Sequence, residues 1–203
     1  MQSMDLDSTF PCNYEVDEIR ELPGDSKFHF PVFPFPAEAA SRGECRWLKV
    51  TPNGAKPWIG AFACRYPCPP AIFRVTGTPD PSRICVISAG PAYIVKTDHP
   101  TVWEELPIMP VIETRALRSH ELLLLSDFVS ILAYGRDGVV WQSPRLCWDE
   151  LKMGEVTRDV LEGTGYDPTG HSSGKTTMRF AVDLRTGRSL LHGPVSADGK
   201  PLW

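Results

Sequence analysis

Proline is the feature that most restricts what this chain can fold into. The chain has 203 residues and 20 prolines, about twice the usual share of roughly 5%. Most of them precede Val111. Proline breaks helix interiors and biases the residue before it toward extended backbone. Long helices are therefore not expected in the first half of the chain, where the sequence predicts strands and loops.

The second half carries clear strand patterns. Residues 178–184 alternate Met, Phe, Val and Leu with Arg179, Ala181 and Asp183, which is typical of a half-buried strand. Asp137-Gly138 predicts a tight hairpin between the apolar segments 128–134 and 139–142, with Gly138 at positive φ. Residues 153–161 are predicted to be one extended segment, ended by the glycines at 163 and 165. These short segments at regular spacing predict a mainly β fold of antiparallel sheets, arranged as a sandwich or a meander.

Helical structure is expected only as short turns, of which residues 99–106 are one candidate. Two regions are predicted along the chain. Residues 1–36 form an N-terminal arm that is first acidic and then rich in Pro and Phe, and residues 37–203 form a single β-rich globular domain. Within the arm, the spacing of Pro31 and Pro34 is also that of a ligand for an aromatic groove. We favour an extended arm that lies on its own domain, because its phenylalanines would otherwise be exposed.

Composition and charge exclude several classes of protein. A hydrophobic content of 42% and a net charge of -4 exclude a fully disordered chain. The sequence has no cluster of Lys and Arg, so no nucleic-acid partner is predicted. No apolar run approaches the roughly 18 residues of a membrane span. The acidic start has no apolar signal segment, so we expect a cytoplasmic protein with reduced thiols, and six cysteines are too few for a disulfide scaffold.

Motifs for catalysis and for metal binding are incomplete. Residues 170–176 end in Gly-Lys-Thr, but the first glycine of a phosphate-binding loop is one position out of place and a strand pattern follows. Cys64 and Cys68 form a C-x3-C pair without the second pair that a structural zinc site needs. A zinc site or redox dithiol and a pair of buried thiols stay open there. The sequence predicts no catalytic residue, no metal site and no cofactor.

The candidate binding residues are aromatic and charged side chains in the best-patterned block. Trp and Arg often anchor interfaces, because they bury a large area and keep a polar group. The alternative for the two tryptophans is packing in the core or at a sheet edge. The predicted set is Trp141, Arg145, Trp148, Asp149, Tyr166 and Asp167.

Residues 78–187 also resemble a group of uncharacterised bacterial proteins. The resemblance rests on turn residues and aromatics in the segments 78–81, 89–93, 137–141, 145–146, 149–151, 163–168 and 180–187. It covers about half of the chain. What it implies is a β-rich domain, and it implies no activity.

The expected function is therefore non-catalytic binding, in the manner of an immunity or accessory protein that acts through protein–protein contacts. Two alternatives remain. One is a hydrolase whose site is assembled from distant residues, with Cys64 or Cys147 as the nucleophile. The other is a carrier of a small ligand in a cavity between sheets.

Overall fold

The computed structural model describes residues 6–7, 9–19, 31–33, 45–66, 72–168 and 177–191. Strands make up 57% of it, which confirms the mainly β prediction. The helical structure in these ranges is one short 3-10 turn, Arg118–His120. No helix there is long and apolar enough to cross a membrane. The chain divides into two compact units, residues 1–111 with 116–122 and residues 112–115 with 123–203.

The first unit contains two sheets. One has the order β1-β6-β7-β8-β9, in which β1 is parallel to β6 and the other neighbours are antiparallel. Its strands are β1 (Leu6–Asp7), β6 (Phe73–Gly77), β7 (Arg83–Ser88), β8 (Ala92–Lys96) and β9 (Trp103–Glu105). The other sheet has the order β2-β4-β5-β3, with β3 parallel to β5. Its strands are β2 (Tyr14–Ile19), β3 (Val32–Phe33), β4 (Cys45–Pro52) and β5 (Trp58–Ala63).

A shared apolar core joins these two sheets. Leu48 and Phe62 of the second sheet cluster with Ile84 and Tyr93 of the first, and all four are fully buried or nearly so. Phe33 stacks on Phe62 with ring centroids 4.6 Å apart. Aromatic pairs at such distances stabilise a core beyond the area that they bury.

The second unit is built from two meanders. The first sheet has the order β10-β11-β12-β13, with β10 (Glu113–Leu117), β11 (Leu122–Ser126), β12 (Ile131–Gly135) and β13 (Gly138–Gln142). The second sheet has the order β14-β15-β16, with β14 (Asp149–Thr157), β15 (Val160–Tyr166) and β16 (Thr177–Asp183). Every strand of the second sheet is antiparallel to its neighbour. Meanders arise when short turns connect successive strands, as the turn signals predict.

The predicted hairpin around Gly138 is confirmed. Gly135 pairs with Gly138 across a loop of two residues, Arg136 and Asp137. Gly138 has a φ of 130°, whereas neither loop residue has a positive φ. Only Gly138 therefore needs a glycine conformation. The register shifts between Ala133 and Tyr134, which is the signature of a bulge in β13.

Two local predictions are wrong. Residues 99–106 do not form a helical turn, because Val102 closes a backbone turn with His99 and β9 follows. Residues 153–161 are not one segment but the two arms of a hairpin that turns at Arg158, whose φ is 56°. Arginine seldom takes that conformation, so it is not a turn signal in a sequence.

Other predictions lie wholly or largely outside the described residues. They include the phosphate-loop-like segment 170–176, Cys68 and most of the arm 1–36. The short described parts of that arm are strands β1, β2 and β3. The division into an arm and a single domain over 37–203 stays a prediction.

Candidate functional site

The candidate site is the solvent-exposed face of the β14–β16 sheet, called here the outer face. Side chains alternate between the two faces of a strand. In β16, Met178 and Phe180 are buried while Arg179 is exposed, and in β14, Leu151 and Met153 are buried around exposed Lys152. The buried residues pack inside the unit. The residues between them form the outer face.

Strand register arranges the outer face in rows. Tyr166 on central β15 pairs with Asp149 on β14 and Thr177 on β16. In the next row, Thr164 pairs with Lys152 on one side and Arg179 on the other. Residues that are directly paired in antiparallel strands project from the same face. Tyr166 is 39% exposed and is the large aromatic ring of this face.

Arg145 and Trp148 form a fixed pair beside Tyr166. The Arg145 guanidinium donates from Nε to the Cys147 carbonyl at 3.0 Å and from Nη2 to the Trp148 carbonyl at 2.8 Å. Its Cζ lies 5.3 Å from the centroid of the Trp148 ring, which is a cation–π distance. The Trp148 backbone N–H donates to the Tyr166 backbone carbonyl at 3.0 Å. The exposed arginine and the half-buried indole therefore lie next to the backbone of Tyr166.

The start of β14 next to this pair is irregular. Glu150 has a φ of 54°, and the register with β15 shifts between Asp149 and Lys152. Asp149 Oδ1 accepts a hydrogen bond of 2.7 Å from the Glu150 N–H. A left-handed residue other than glycine costs on the order of 1–3 kcal/mol and persists where its surroundings hold it. Such outliers cluster at functional sites.

The structure separates the six predicted binding residues into two groups. Asp149 and Tyr166 pair at the end of the outer face, and Arg145 and Trp148 lie in the connection directly before Asp149, where the Trp148 backbone bonds to that of Tyr166. Trp141 and Asp167 are buried, at 7% and 0% exposure. Neither can therefore contact a partner from the surface.

Trp141 has a packing role instead. Its Nε1–H donates to the Leu184 carbonyl at 2.8 Å. A Cβ on Gly187 would lie 2.6 Å from its ring. This is the core packing that the sequence left open as the alternative for this tryptophan.

Lys152, Thr164 and Arg179 were not among the predicted site residues. They are far apart in sequence, and only the strand register brings them into one row. The period-two pattern around Arg179 was a usable signal, because it places Arg179 opposite the buried Met178 and Phe180. No comparable signal marks Lys152, because the bulge interrupts the alternation of β14.

Cys147 lies directly beneath the site and is fully buried. Burial raises the pKa of its thiol to about 11, and its S–H donates to the Phe128 carbonyl at 3.6 Å. A Cβ on Gly165 would lie 2.5 Å from its sulfur, so the thiol fills the space that this glycine leaves. A neutral, enclosed thiol is a poor nucleophile. Cys64, in the first unit, instead lies 3.3 Å from the Ser88 hydroxyl.

The described residues include a small pocket but no metal-binding cluster. Within these ranges, no three His, Cys, Asp or Glu side chains are grouped so as to hold a metal ion. One shallow pocket in the first unit has a volume of ≈ 90 Å³ and is lined by Arg83, Ile94, Lys96, Val102, Trp103 and Glu104. Pockets for organic ligands usually measure about 300–1,000 Å³, so this one is too small for such a ligand.

Comparisons with known proteins add no information on function to this geometry. The chain matches no protein-family model, and no curated protein matches it at a significant level.

Proposed function

We propose that the chain is a non-catalytic binding protein that holds a protein partner on the outer face of the β14–β16 sheet. The observation that supports this most is the arginine–tryptophan pair beside an exposed tyrosine. Tyr, Trp and Arg are the side chains that most often dominate the binding energy of protein interfaces. Here Arg145 and Trp148 are also fixed before any partner arrives.

Fixed anchors favour binding because less side-chain freedom is lost. Ordering a flexible side chain at an interface costs about 0.5–1.5 kcal/mol. Arg145 already has two carbonyl acceptors and a ring beneath it. Tyr166 sits on the central strand, with neighbours hydrogen-bonded on both sides. Part of the free-energy cost of ordering these side chains is therefore already included in folding.

Mixed charge favours a protein over a nucleic acid as the partner. Lys152 and Arg179 share the outer face with acidic Asp149 and with Glu162, which pairs with Ala181 two positions from Arg179. Surfaces that bind phosphate backbones carry a clear excess of Lys and Arg. Protein interfaces place charges of both signs around an aromatic centre.

Site-specific photo-crosslinking in the native host tests this proposal. A benzophenone side chain replaces Tyr166, and in a matched strain it replaces Val140, which is 53% exposed on β13 of the other sheet. We expect one protein to be captured from position 166 and not from position 140. With that protein purified, Tyr166→Ala and Arg145→Ala should each weaken binding by about 2 kcal/mol, or about thirtyfold in Kd.

The matched control for the charge change is Arg136→Ala, an exposed arginine in the loop between β12 and β13 of the other sheet. It should leave the Kd unchanged. If the two anchor variants bind the captured protein as tightly as the unaltered chain does, the outer face is not the binding surface.

The hydrolase is the runner-up, and the buried state of Cys147 weighs against it. The pocket described in the first unit does not support the small-ligand carrier, because it is too small for an organic ligand.

A further inference from the structure

The connection between β4 and β5 in the first unit contains an exposed Asn-Gly pair. Residues 53–57 form this connection, and all five are exposed. The Ala55 N–H donates to the Pro52 carbonyl at 3.4 Å, which closes a β-turn with Asn53 and Gly54 at its two central positions. Gly54 has a φ of 78°, whereas Asn53 does not have a positive φ. This is the pattern of a type II turn, in which the third position favours glycine.

The reactive groups of this pair are not held by any of the described residues. Within these ranges, the Asn53 carboxamide has no hydrogen-bond partner and no group accepts the Gly54 N–H. A Cβ built on Gly54 would meet no heavy atom within 4 Å, so the space beside this residue is open. The backbone N–H of Asn53 does donate, to the Asn13 carbonyl at 2.8 Å. The side chain of Asn53 and the peptide bond that follows it can therefore rotate.

We propose that Asn53 is a site of spontaneous deamidation, which converts this residue to isoaspartate. In this reaction the Gly54 backbone nitrogen loses its proton to solvent and attacks the side-chain carbonyl carbon of Asn53. A C–N bond forms, the side-chain nitrogen takes up a proton and leaves as ammonia, and a five-membered succinimide remains. Water then opens the succinimide at either of its carbonyl groups, which leaves aspartate or isoaspartate at position 53. Water is the co-reactant, and no atom is oxidised or reduced.

The residue that follows each asparagine decides which one reacts. Glycine at position 54 favours the attack, because it has no side chain beside the nucleophilic nitrogen. The chain has one other asparagine, Asn13. It is followed by Tyr14, a strand residue whose side chain is buried. A bulky side chain and a strand backbone both hinder the approach of the Tyr14 nitrogen, so Asn13 should not react.

Asp137-Gly138 is a second comparison, because aspartate can close the same ring with loss of water. An ionised carboxylate is a poorer electrophile than a carboxamide. Gly138 is also held in register, since it pairs with Gly135 across a loop of two residues. We therefore expect Asn53 to react before Asp137.

The product differs from the original turn in charge and in backbone length. A carboxylate replaces a neutral amide, so the formal net charge of -4 becomes more negative by one unit. In isoaspartate the backbone also passes through the side chain, which adds a methylene to the connection. Lengthening an exposed loop costs little stability, so the modified protein should stay folded. Its misplaced carboxylate is a substrate for enzymes of the isoaspartyl methyltransferase class.

Ageing of the purified full chain at neutral pH and physiological temperature tests the inference. Chromatography and mass spectrometry follow the peptides that contain Asn53, Asn13 and Asp137. We expect the Asn53 peptide to gain one mass unit and to contain mainly isoaspartate, while the other two stay unchanged. The rate should rise in mildly alkaline buffer, because the attacking nitrogen must be deprotonated. Methyl transfer from S-adenosylmethionine by an isoaspartyl methyltransferase measures the product independently.

Two matched variants locate the modification. Asn53→Gln should abolish methyl acceptance, because glutamine would need to close a six-membered ring, which forms far more slowly. Asn13→Gln makes the same change at the other asparagine and should leave methyl acceptance unchanged. Far-UV circular dichroism of each variant verifies that it is folded.

The inference is overturned if Asn53 stays intact in the folded protein. Deamidation that occurs only when the same chain is unfolded in urea would show that the turn protects the pair. Methyl acceptance that persists in Asn53→Gln, or a reaction at Asn13 or Asp137 before Asn53, also overturns the inference. The proposed function is independent of this result, because its outer face belongs to the second unit.

Discussion

Substituting Gly187 by alanine tests how Trp141 is held in the core of the second unit. Gly187 has a φ of 71°, and a Cβ there would lie 2.6 Å from Trp141 Cε3 and 2.7 Å from Cδ2. Gly138, in the same unit, has a φ of 130° but open space around its Cβ position. Both glycines have a positive φ and they differ in the space beside them, so Gly138→Ala is the control for backbone strain.

The magnitudes follow from these two observations. Placing a side chain at positive φ costs roughly 1–2 kcal/mol, and this is the whole penalty expected for Gly138→Ala. Gly187→Ala has that penalty and must also displace the indole, which adds about 1–3 kcal/mol of overpacking. If the indole moves away from the Leu184 carbonyl, the lost hydrogen bond adds about 1 kcal/mol. We therefore expect Gly187→Ala to destabilise by about 3–5 kcal/mol and Gly138→Ala by about 1–2 kcal/mol.

Urea unfolding followed by circular dichroism gives both free energies of unfolding. A double-mutant cycle with Trp141→Leu identifies the clash, because leucine removes the ring atoms nearest Gly187. In that background, Gly187→Ala should cost at least about 1 kcal/mol less than in the unaltered chain. Equal destabilisation by the two glycine substitutions, or no coupling in the cycle, would refute the packing argument.

Three further outcomes are expected. Gly163→Ala should destabilise by about 3 kcal/mol or more, because its Cβ would overlap the Phe180 ring; an unchanged urea midpoint would contradict this. Cys147 should resist alkylation in the folded protein and react in urea, because burial raises its thiol pKa to about 11. Rapid labelling of Cys147 in the folded protein, detected by mass spectrometry of its peptides, would contradict this. Backbone N–H donation, first from Arg185, lowers the pKa of the Asp183 carboxyl. Its stabilising effect is therefore present above the unfolded pKa and lost as pH falls through the folded one, and Asp183→Asn should flatten the acid limb of stability against pH; parallel limbs would contradict this.

The local sequence pattern predicted the mainly β class, because turn and strand signals act over only a few residues. Asp137-Gly138 between two apolar segments is a strong turn signal, and the hairpin is there with Gly138 at positive φ. The alternation around Arg179 likewise predicted strand β16 and its buried side. In both places, the deciding interaction lies within the segment itself.

Predictions failed where a distant residue decides the local conformation. Gly163 and Gly165 were predicted to end a strand but lie inside β15, because Phe180 and Cys147 fill the space beside them. These contacts come from residues that lie on other strands or in the connection before β14, so glycine here serves close packing. The turn at Arg158 was missed because arginine, which has a φ of 56° there, does not signal a left-handed turn.

The candidate site could be predicted only in part, for the same reason. Four of its residues were found because aromatic and charged side chains cluster near one another in sequence. Their arrangement around Tyr166 depends on register, and a slip of one residue would move every side chain of a strand to the other face. Lys152 and Arg179 could not be placed beside Tyr166 without that register.

The proposed binding surface lies on a sheet face, so the backbone beneath it should be ordered before a partner binds. Tyr166, Lys152 and Arg179 are all strand residues, and ladder bonds on each side of β15 fix the backbone that carries them. Arg145 and Trp148 lie outside the strands, yet hydrogen bonds to backbone carbonyls hold both. Hydrogen exchange at residues 145–166 should therefore already be slow in the free protein, and partner binding should protect it further without a change of fold. Rapid exchange there in the free protein would mean that the anchors become ordered only on binding, and the entropic advantage argued for the outer face would be lost.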